Sequence, residues 1–325
     1  MAERLARLEA WLKEVLGSSD FEVTPASSDA SFRRYFRVHH GSESFIAMDA
    51  PPTHEDTGPF VRVAELLARH GLNVPRVLAR DAAQGLLLLS DLGDVHYLAR
   101  LDAENADSLY ADAMHALVRM QRIPPAELRE IPPYDETLLM REMALFRDWY
   151  LRRHRGLVLS SAQEQVLGGV YLQLTEAALA QPRVFVHRDY HSRNLMVLPQ
   201  DNPGILDFQD AVHGPVTYDL VSLLRDCYIA WPRERVEAWA LAYLQSAQQA
   251  GLLSALAAEQ WLRWFDWMGV QRHLKVAGIF ARLNHRDGKS GYLADIPRAL
   301  GYVREVAQRY EELTPLLDFI PEGAA

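Results

Sequence analysis

The sequence predicts an α+β fold, with a small sheet-rich N-terminal lobe over residues 1–92 and a mostly helical C-terminal lobe over residues 93–325. Three observations predict it. Short alternating apolar runs bounded by turn residues fill the chain up to Leu92, apolar residues at helical spacing dominate beyond about Asp102, and one stretch of strand, polar loop and strand interrupts the helices at 184–208.

The opening MAERLARLEAWLKEVLG sets Leu5, Leu8, Leu12, Val15 and Leu16 at helical spacing, with Glu3, Arg4, Arg7 and Glu9 between them. It reads as an amphipathic packing helix and offers no uninterrupted apolar segment of the kind a secretory signal needs. Strands follow near 21–24, at 32–39 and at 44–49, the last two joined by a turn around Gly41, and Pro51 and Pro52 end the pattern. FVRVAELLARHGL, 60–72, is helical and stops at Gly71, after which VPRVLARD and GLLLLSDLG supply two more strands. SDLGD, 90–94, connects the lobes. In the interruption at 184–208, a first strand leads into the polar loop, a second strand spans Leu195–Leu198, the turn DNPG follows, and a third strand spans Gly204–Phe208.

The chain has 325 residues, 49% hydrophobic and 24% charged, enough apolar material for one large core or two smaller ones. Its longest aliphatic run, Leu86–Leu89, is far short of the roughly 18 apolar residues of a membrane span, so no membrane association is expected. Cys227 is the single cysteine, which excludes an intrachain disulfide and a cysteine zinc cluster and fits a cytoplasmic protein. A net charge of −9 speaks against nucleic acid as a partner, because counterion release needs clustered Lys and Arg. A small-molecule substrate is expected instead.

The polar loop carries the chemistry. In VFVHRDYHSRNLMV, residues 184–197, His187, Asp189 and Asn194 form H-x-D-x-x-x-x-N, and Asp207 opens DFQD at the end of the next apolar stretch. Phosphoryl transfer from ATP needs such a set: one carboxylate to orient or deprotonate the acceptor hydroxyl, and an Asn oxygen with a second carboxylate to hold magnesium on the phosphates. A hairpin between Asn194 and Asp207 explains their spacing, since it returns the chain. The bland alternative is a His-rich surface loop with His187 and His191 solvated or satisfied in the core. A zinc site from His187, Asp189 and His191 would want a helix, which the flanking strands oppose. DGKS at 287–290 lacks the first Gly of a P-loop, since Leu283 stands there, and reads as a turn.

VHRDYHSRNLMVLPQDNPGILDFQDAVHGPVTYDLVSLLRD resembles the catalytic core of the aminoglycoside phosphotransferase-like kinases, which share the two-lobed protein-kinase fold. SSDASFRRYFRV, FIAMDAPP, LLSDLGD and MGVQRHLKVAGIFARL further resemble the bacterial kinases that phosphorylate the anomeric hydroxyl of N-acetylmuramate and N-acetylglucosamine in cell-wall recycling. The resemblance implies Asp189 as catalytic base and Asn194 and Asp207 as magnesium ligands. It also implies that His187 braces the loop and that Asp219 hydrogen-bonds the loop from the start of a helix, where a plain N-cap is the other reading. By fold analogy the adenine lies against Ser90, Asp91 and Leu92. For the sugar, Arg225, Asp226, Arg272, His273, Lys275, Trp231, Trp264 and Trp267 are candidates, against readings as core tryptophans and a solvated helical turn. A muramate carboxylate would need a cation.

The sequence departs from the family pattern twice. PASSDASF, 25–32, has no Gly where kinases have a Gly-rich loop, and FIAM places Met48 where they place the phosphate-binding Lys. Arg33 or Arg34 is expected to supply the missing charge, Arg33 sharing a face with Tyr35 and Arg37, and Arg34 with Phe32 and Phe36, with surface arginines as the bland alternative. Glu65, the candidate for the kinase helix glutamate, and Asp210 both read as solvated. A kinase of another hydroxylated metabolite (aminoglycoside, choline, pentose) is the alternative within this superfamily. A nucleotide-binding pseudokinase, motivated by Met48, is the alternative outside enzymes.

Overall fold

The structure is a computed structural model that describes residues 2–28 and 32–321. Its contacts divide the chain into two compact units: one runs through His96 and takes in Leu195–Asp210, and the other holds Tyr97–Asn194 with the chain from Ala211 onward. The hairpin that follows the polar loop thus groups with the N-terminal residues, although it lies far beyond them in sequence.

In the first unit, β1 (Glu22–Ser28), β2 (Arg34–His40), β3 (Glu43–Asp49), β4 (Val77–Asp81) and β5 (Leu86–Ser90) form one antiparallel sheet in the order β1-β2-β3-β5-β4. Register sets Arg34 opposite Asp49, Phe36 opposite Ala47 and Val38 opposite Phe45, so these side chains share one face. Helix α1 (Ala2–Leu16) covers that face, packing Leu8, Trp11 and Leu12 on Val38, Ala47, Leu86 and Leu88. Each of these large side chains contributes about 1.5–3 kcal/mol by leaving water. Under the helix, Asp49 has no exposed surface and accepts from both Arg4 and Arg34, each Nε at 3.1 Å. The other face of the sheet carries Tyr35, Arg37, Ile46, Met48, Leu87 and Leu89.

The β4–β5 turn requires glycine at 85. Its φ is +70°, and a Cβ there would stand 1.9 Å from the Ala50 carbonyl oxygen, while Ala50 donates its N–H back to Gly85 O at 2.9 Å. Helix α2 (Gly58–Arg69) buries Phe60, Val63, Ala64 and Leu67, with Glu65 exposed, and the Phe60 ring lies 4.9 Å from that of Phe208. The hairpin pairs only Leu195–Met196 with Gly204–Ile205, and Ile205 N–H donates to Asn73 O at 2.7 Å.

The second unit is helical: α3 (Tyr97–Arg100), α4 (Ala106–Gln121), α5 (Glu136–Leu145), α6 (Ser161–Leu179), α7 (Tyr218–Leu224), α8 (Arg233–Gln249), α9 (Ala258–Asp287) and α10 (Ile296–Ala307). A π-helical stretch, Phe146–His154, continues α5. Helix α9 is buried on nearly every side from Phe265 to Gly278, as a core helix is, and ends at Gly288 in the left-handed conformation. A Cβ on Gly278 would lie 2.3 Å from the Leu145 carbonyl carbon and 2.5 Å from Phe146 N, so only glycine admits the backbone where α5 turns π-helical. DGKSG is the turn out of α9, as its composition suggests.

One strand was not read from the sequence: β7 (Val212–Pro215), which pairs with β6 (Arg183–Val186), the strand before the polar loop. The sequence hides β7 because His-Gly-Pro breaks the alternation that marks a strand. Among the described residues, no helix is long and apolar enough to cross a membrane.

Candidate active site

Every part of the H-x-D-x-x-x-x-N loop is tied down by carboxylates and by its own backbone. Asp219, in the first turn of α7 and fully buried, accepts from the His187 N–H at 2.6 Å and from the Arg188 N–H at 2.9 Å. These bonds hold Arg188 at φ +76°, a left-handed backbone that a non-glycine residue avoids at a cost of about 1–3 kcal/mol. His187 accepts the Asp189 N–H on Nδ1 at 3.2 Å and packs its ring on Tyr190, which is the bracing role expected of it. Asp226 accepts from both Ser192 N–H and Ser192 Oγ, at 2.9 and 2.5 Å, and its other oxygen accepts from Tyr228 N–H. The Asn194 side chain donates Nδ2 to the Asp189 carbonyl at 3.0 Å.

Asp189 therefore sits on a rigid loop, and its surroundings are cationic. Burial would raise its pKa, but Lys275, Arg272 and Arg188 among its neighbours outweigh burial and hold the carboxyl below its usual range, so it is ionised at neutral pH. Asp219 behaves in the opposite way: burial pushes it up to about 7 in spite of its two backbone donors.

Two of those cations are neutralised by a residue that the sequence did not single out. Glu142 on α5 is buried, receives Arg188 and the Tyr134 hydroxyl, and lies 3.1 Å from Lys275 Nζ, which also donates to Tyr218 Oη at 2.9 Å. Burial opposes the charge of Glu142, yet Lys275 and Arg188 keep its pKa low. The one sequence signal was a glutamate standing between Leu139, Met143 and Phe146 on an otherwise apolar stripe.

The predicted nucleotide residues, and Asp207 of the metal pair, lie in the first unit, and the sugar candidates at 225–275 lie in the second. Asp207 adopts φ +63° and accepts from Gln209 Nε2 at 2.7 Å. Arg33 Nε stands 3.8 Å from Glu55. Burial would lower the Arg33 pKa, but Tyr35, Asp207, Glu55 and Asp210 together raise it, which puts this guanidinium in the field of Asp207. Arg34 is placed differently, under α1 with Asp49, on the sheet face opposite Met48. Asp210 is exposed, and the PASSDASF segment falls partly at residues 29–31, outside the described residues. Of the adenine segment, Ser90 N–H donates to Arg76 O at 2.9 Å, and the Asp91 carboxylate holds Arg37 Nε at 2.7 Å, Ser44 Oγ at 2.9 Å and Gly93 N–H at 2.9 Å. The Leu92 side chain packs toward Gly204 of the hairpin.

Among the described residues, no group of three or more His, Cys, Asp or Glu side chains is spaced to hold a metal ion. Magnesium keeps waters and substrate phosphates in most of its shell and takes one or two hard protein oxygens. A carboxylate at Asp207 and an amide oxygen at Asn194 are donors of that kind.

Fold and loop together define a phosphotransferase, and the chain belongs to the phosphotransferase enzyme family, whose model matches residues 22–290. An ADP-bound aminoglycoside phosphotransferase, APH(2'')-Ib, superposes with a TM-score of 0.59 at 13% identity, over 93% of this chain and 98% of that one. The α+β class with a sheet-rich first part and helical remainder is thus borne out. More particularly, the chain is 52% identical over 306 residues to the N-acetylmuramate/N-acetylglucosamine kinase of Pseudomonas aeruginosa, covering 93% of this chain and 90% of the relative. It is 48% identical over 329 residues to the kinase of the same name from Pseudomonas putida, covering 98% and 96%.

Proposed function

We propose that the protein is a cytoplasmic, ATP- and magnesium-dependent kinase that phosphorylates the C1 hydroxyl of N-acetylmuramate and N-acetylglucosamine, as a step in cell-wall recycling. The observation that carries this reading is an ionised aspartate, Asp189, fixed on a loop braced at both ends, in a chain about half identical to kinases named for those two sugars.

In the proposed reaction, Asp189 accepts a hydrogen bond from the sugar hydroxyl and aims its oxygen at the γ-phosphorus. As the new P–O bond forms and the bond to the β–γ bridging oxygen breaks, the hydroxyl proton passes to Asp189 and ADP leaves. Magnesium, held by Asp207 and by Asn194 Oδ1, would neutralise charge on the phosphates. Arg33 is the cation assigned to the phosphates in place of the absent lysine, because it shares the field of Asp207, whereas Arg34 is engaged by Asp49. Backbone groups of Asp91 and Leu92 are assigned to the adenine, with the Ser90 N–H committed to Arg76. Most of the acceleration comes from positioning and charge, for which the hydrogen bonds of Asp219 and Asp226 to the loop prepare it.

The test is ADP release in a coupled assay with ATP, magnesium and a panel of both amino sugars, an aminoglycoside, choline and a pentose. Turnover confined to the amino sugars is expected. Turnover of another acceptor alone would reassign the substrate, and nucleotide binding without product would make the protein a pseudokinase.

A further inference from the structure

Beside Asp189, two buried side chains present nitrogen atoms with no partner among the described residues. Arg272 on α9 is 2% exposed, and its Nε and Nη1 atoms are both buried and unbonded; Nδ1 of His191 is in the same condition. A buried donor without an acceptor costs about 1–3 kcal/mol, and more when it carries charge. Protein cores avoid such groups, so a charged donor left open next to a reacting site points to a ligand that completes it.

The surrounding acceptors do not complete it. Arg272 lies in the field of Tyr218, Cys227, Asp189 and Asp226. Asp226 is occupied by Ser192 and the Tyr228 N–H. Asp189 is the carboxylate that must meet the acceptor hydroxyl. The other cations of the cluster already have carboxylates: Arg188 and Lys275 share Glu142, and Arg225 forms a two-point pair with Glu305 at 3.0 and 2.7 Å. Arg272 is therefore the guanidinium beside Asp189 that lacks a protein anion.

We propose that Arg272, with His191 beside it, forms the anion-recognition element of the acceptor site and takes the carboxylate of the acceptor sugar. Two-point binding of a planar carboxylate is what a guanidinium fork does best. His191 adds one unpartnered ring nitrogen, Nδ1, to the same place. The assignment rests on the kinase reading above and deepens it: N-acetylmuramate carries a lactyl carboxylate that N-acetylglucosamine lacks, so this contact serves the first sugar and not the second.

Steady-state kinetics of Arg272→Met on the two sugars, with Arg272→Lys alongside and thermal melting as the fold control, test it. The Met variant should lose roughly 10- to 100-fold more in kcat/KM on N-acetylmuramate than on N-acetylglucosamine, mainly through KM, because only the first sugar carries the carboxylate, while any effect on Asp189 falls on both alike. The Lys variant should recover part of the loss, as a point charge without the fork. A parallel fall on both sugars overturns the assignment. If the Met variant fails to fold, the wild-type enzyme decides with the methyl ester of N-acetylmuramate. The neutral ester should lose the same factor against the acid, and an ester used as well as the acid overturns the proposal. Wild-type turnover of neither sugar overturns the amino-sugar reading itself, and this assignment with it.

Discussion

Replacing Asp219 by Ala removes an acceptor from two backbone donors at once. The His187 and Arg188 N–H groups, bonded at 2.6 and 2.9 Å in a fully buried setting, would both be orphaned. At about 1–3 kcal/mol each, the gross loss is roughly 2–6 kcal/mol. Two effects offset part of it. Arg188 is released from its left-handed backbone, worth about 1–3 kcal/mol, and a carboxyl that burial disfavours is gone. A net loss of about 1–3 kcal/mol in urea unfolding is the expected result, a sizeable share of the roughly 5–15 kcal/mol that holds a domain together. Catalysis should suffer more specifically. Asp189 follows Arg188 directly, and a shift of about 1 Å in a reacting group costs on the order of 100-fold in rate. The coupled ADP assay should then show kcat down about 100-fold, with the ATP KM within about threefold of wild type. Asp219→Asn should fall between the two, because its amide oxygen can accept one N–H while its NH2 confronts the other. A kcat within about threefold of wild type in Asp219→Ala, with unfolding unchanged, would refute the idea that this carboxylate holds the loop.

Asp189→Ala should reduce turnover by about 100- to 10,000-fold while leaving ATP affinity nearly intact, measured by the same assay and by nucleotide titration; near wild-type turnover removes Asp189 as base. Arg33→Ala should raise the ATP KM, whereas Arg34→Ala should lower stability by about 1–3 kcal/mol through Asp49 and leave the KM alone; the reverse pattern would exchange their roles. Asp219 also predicts a pH dependence. Its folded pKa of about 7 lies above the roughly 4 of an exposed aspartate, so between these values the folded state holds a proton that the unfolded chain has lost. The stability advantage of this group is full below about pH 4 and declines as the pH rises to about 7. The unfolding free energy of wild type relative to Asp219→Asn should fall across that window, and a flat or rising difference counts against it.

The H-x-D-x-x-x-x-N loop was legible because its residues are contiguous and fall in the order that phosphoryl transfer needs. Asp189 and Asn194 stand five positions apart and are joined by a side-chain bond within the loop itself. Asp219 was legible only through the family resemblance, which implied a carboxylate bonding the loop from the start of a helix, and a plain N-cap read equally well from the residues alone. The choice between Arg33 and Arg34 was not. Alternation along β2 assigns the two arginines to opposite faces, but which face is covered depends on α1, whose docking on Val38 and Ala47 is a tertiary fact. Glu142 was missed for a related reason, since only the packing of α5 and α9 brings it to Lys275 and Arg188.

The RHLK segment shows where periodicity stops being informative. A charged turn in a helix ordinarily faces water, and that expectation fails here because α9 is enclosed on all sides over this stretch. Enclosure changes the meaning of each polar residue, because a buried charge persists only with a partner. Lys275 has Glu142, His273 bonds the Gly269 and Arg225 carbonyls at 2.6 and 2.8 Å, and Asp266 holds Arg233 at 2.6 and 2.8 Å. Those pairings are complete within the protein and need only stability to explain them. Arg272 is bracketed by these satisfied neighbours, and its open nitrogens cannot be attributed to a helix face turned to solvent. A sequence can show that a helix carries charges, but only the count of partners around each charge separates those that hold the fold from the one held ready for a substrate.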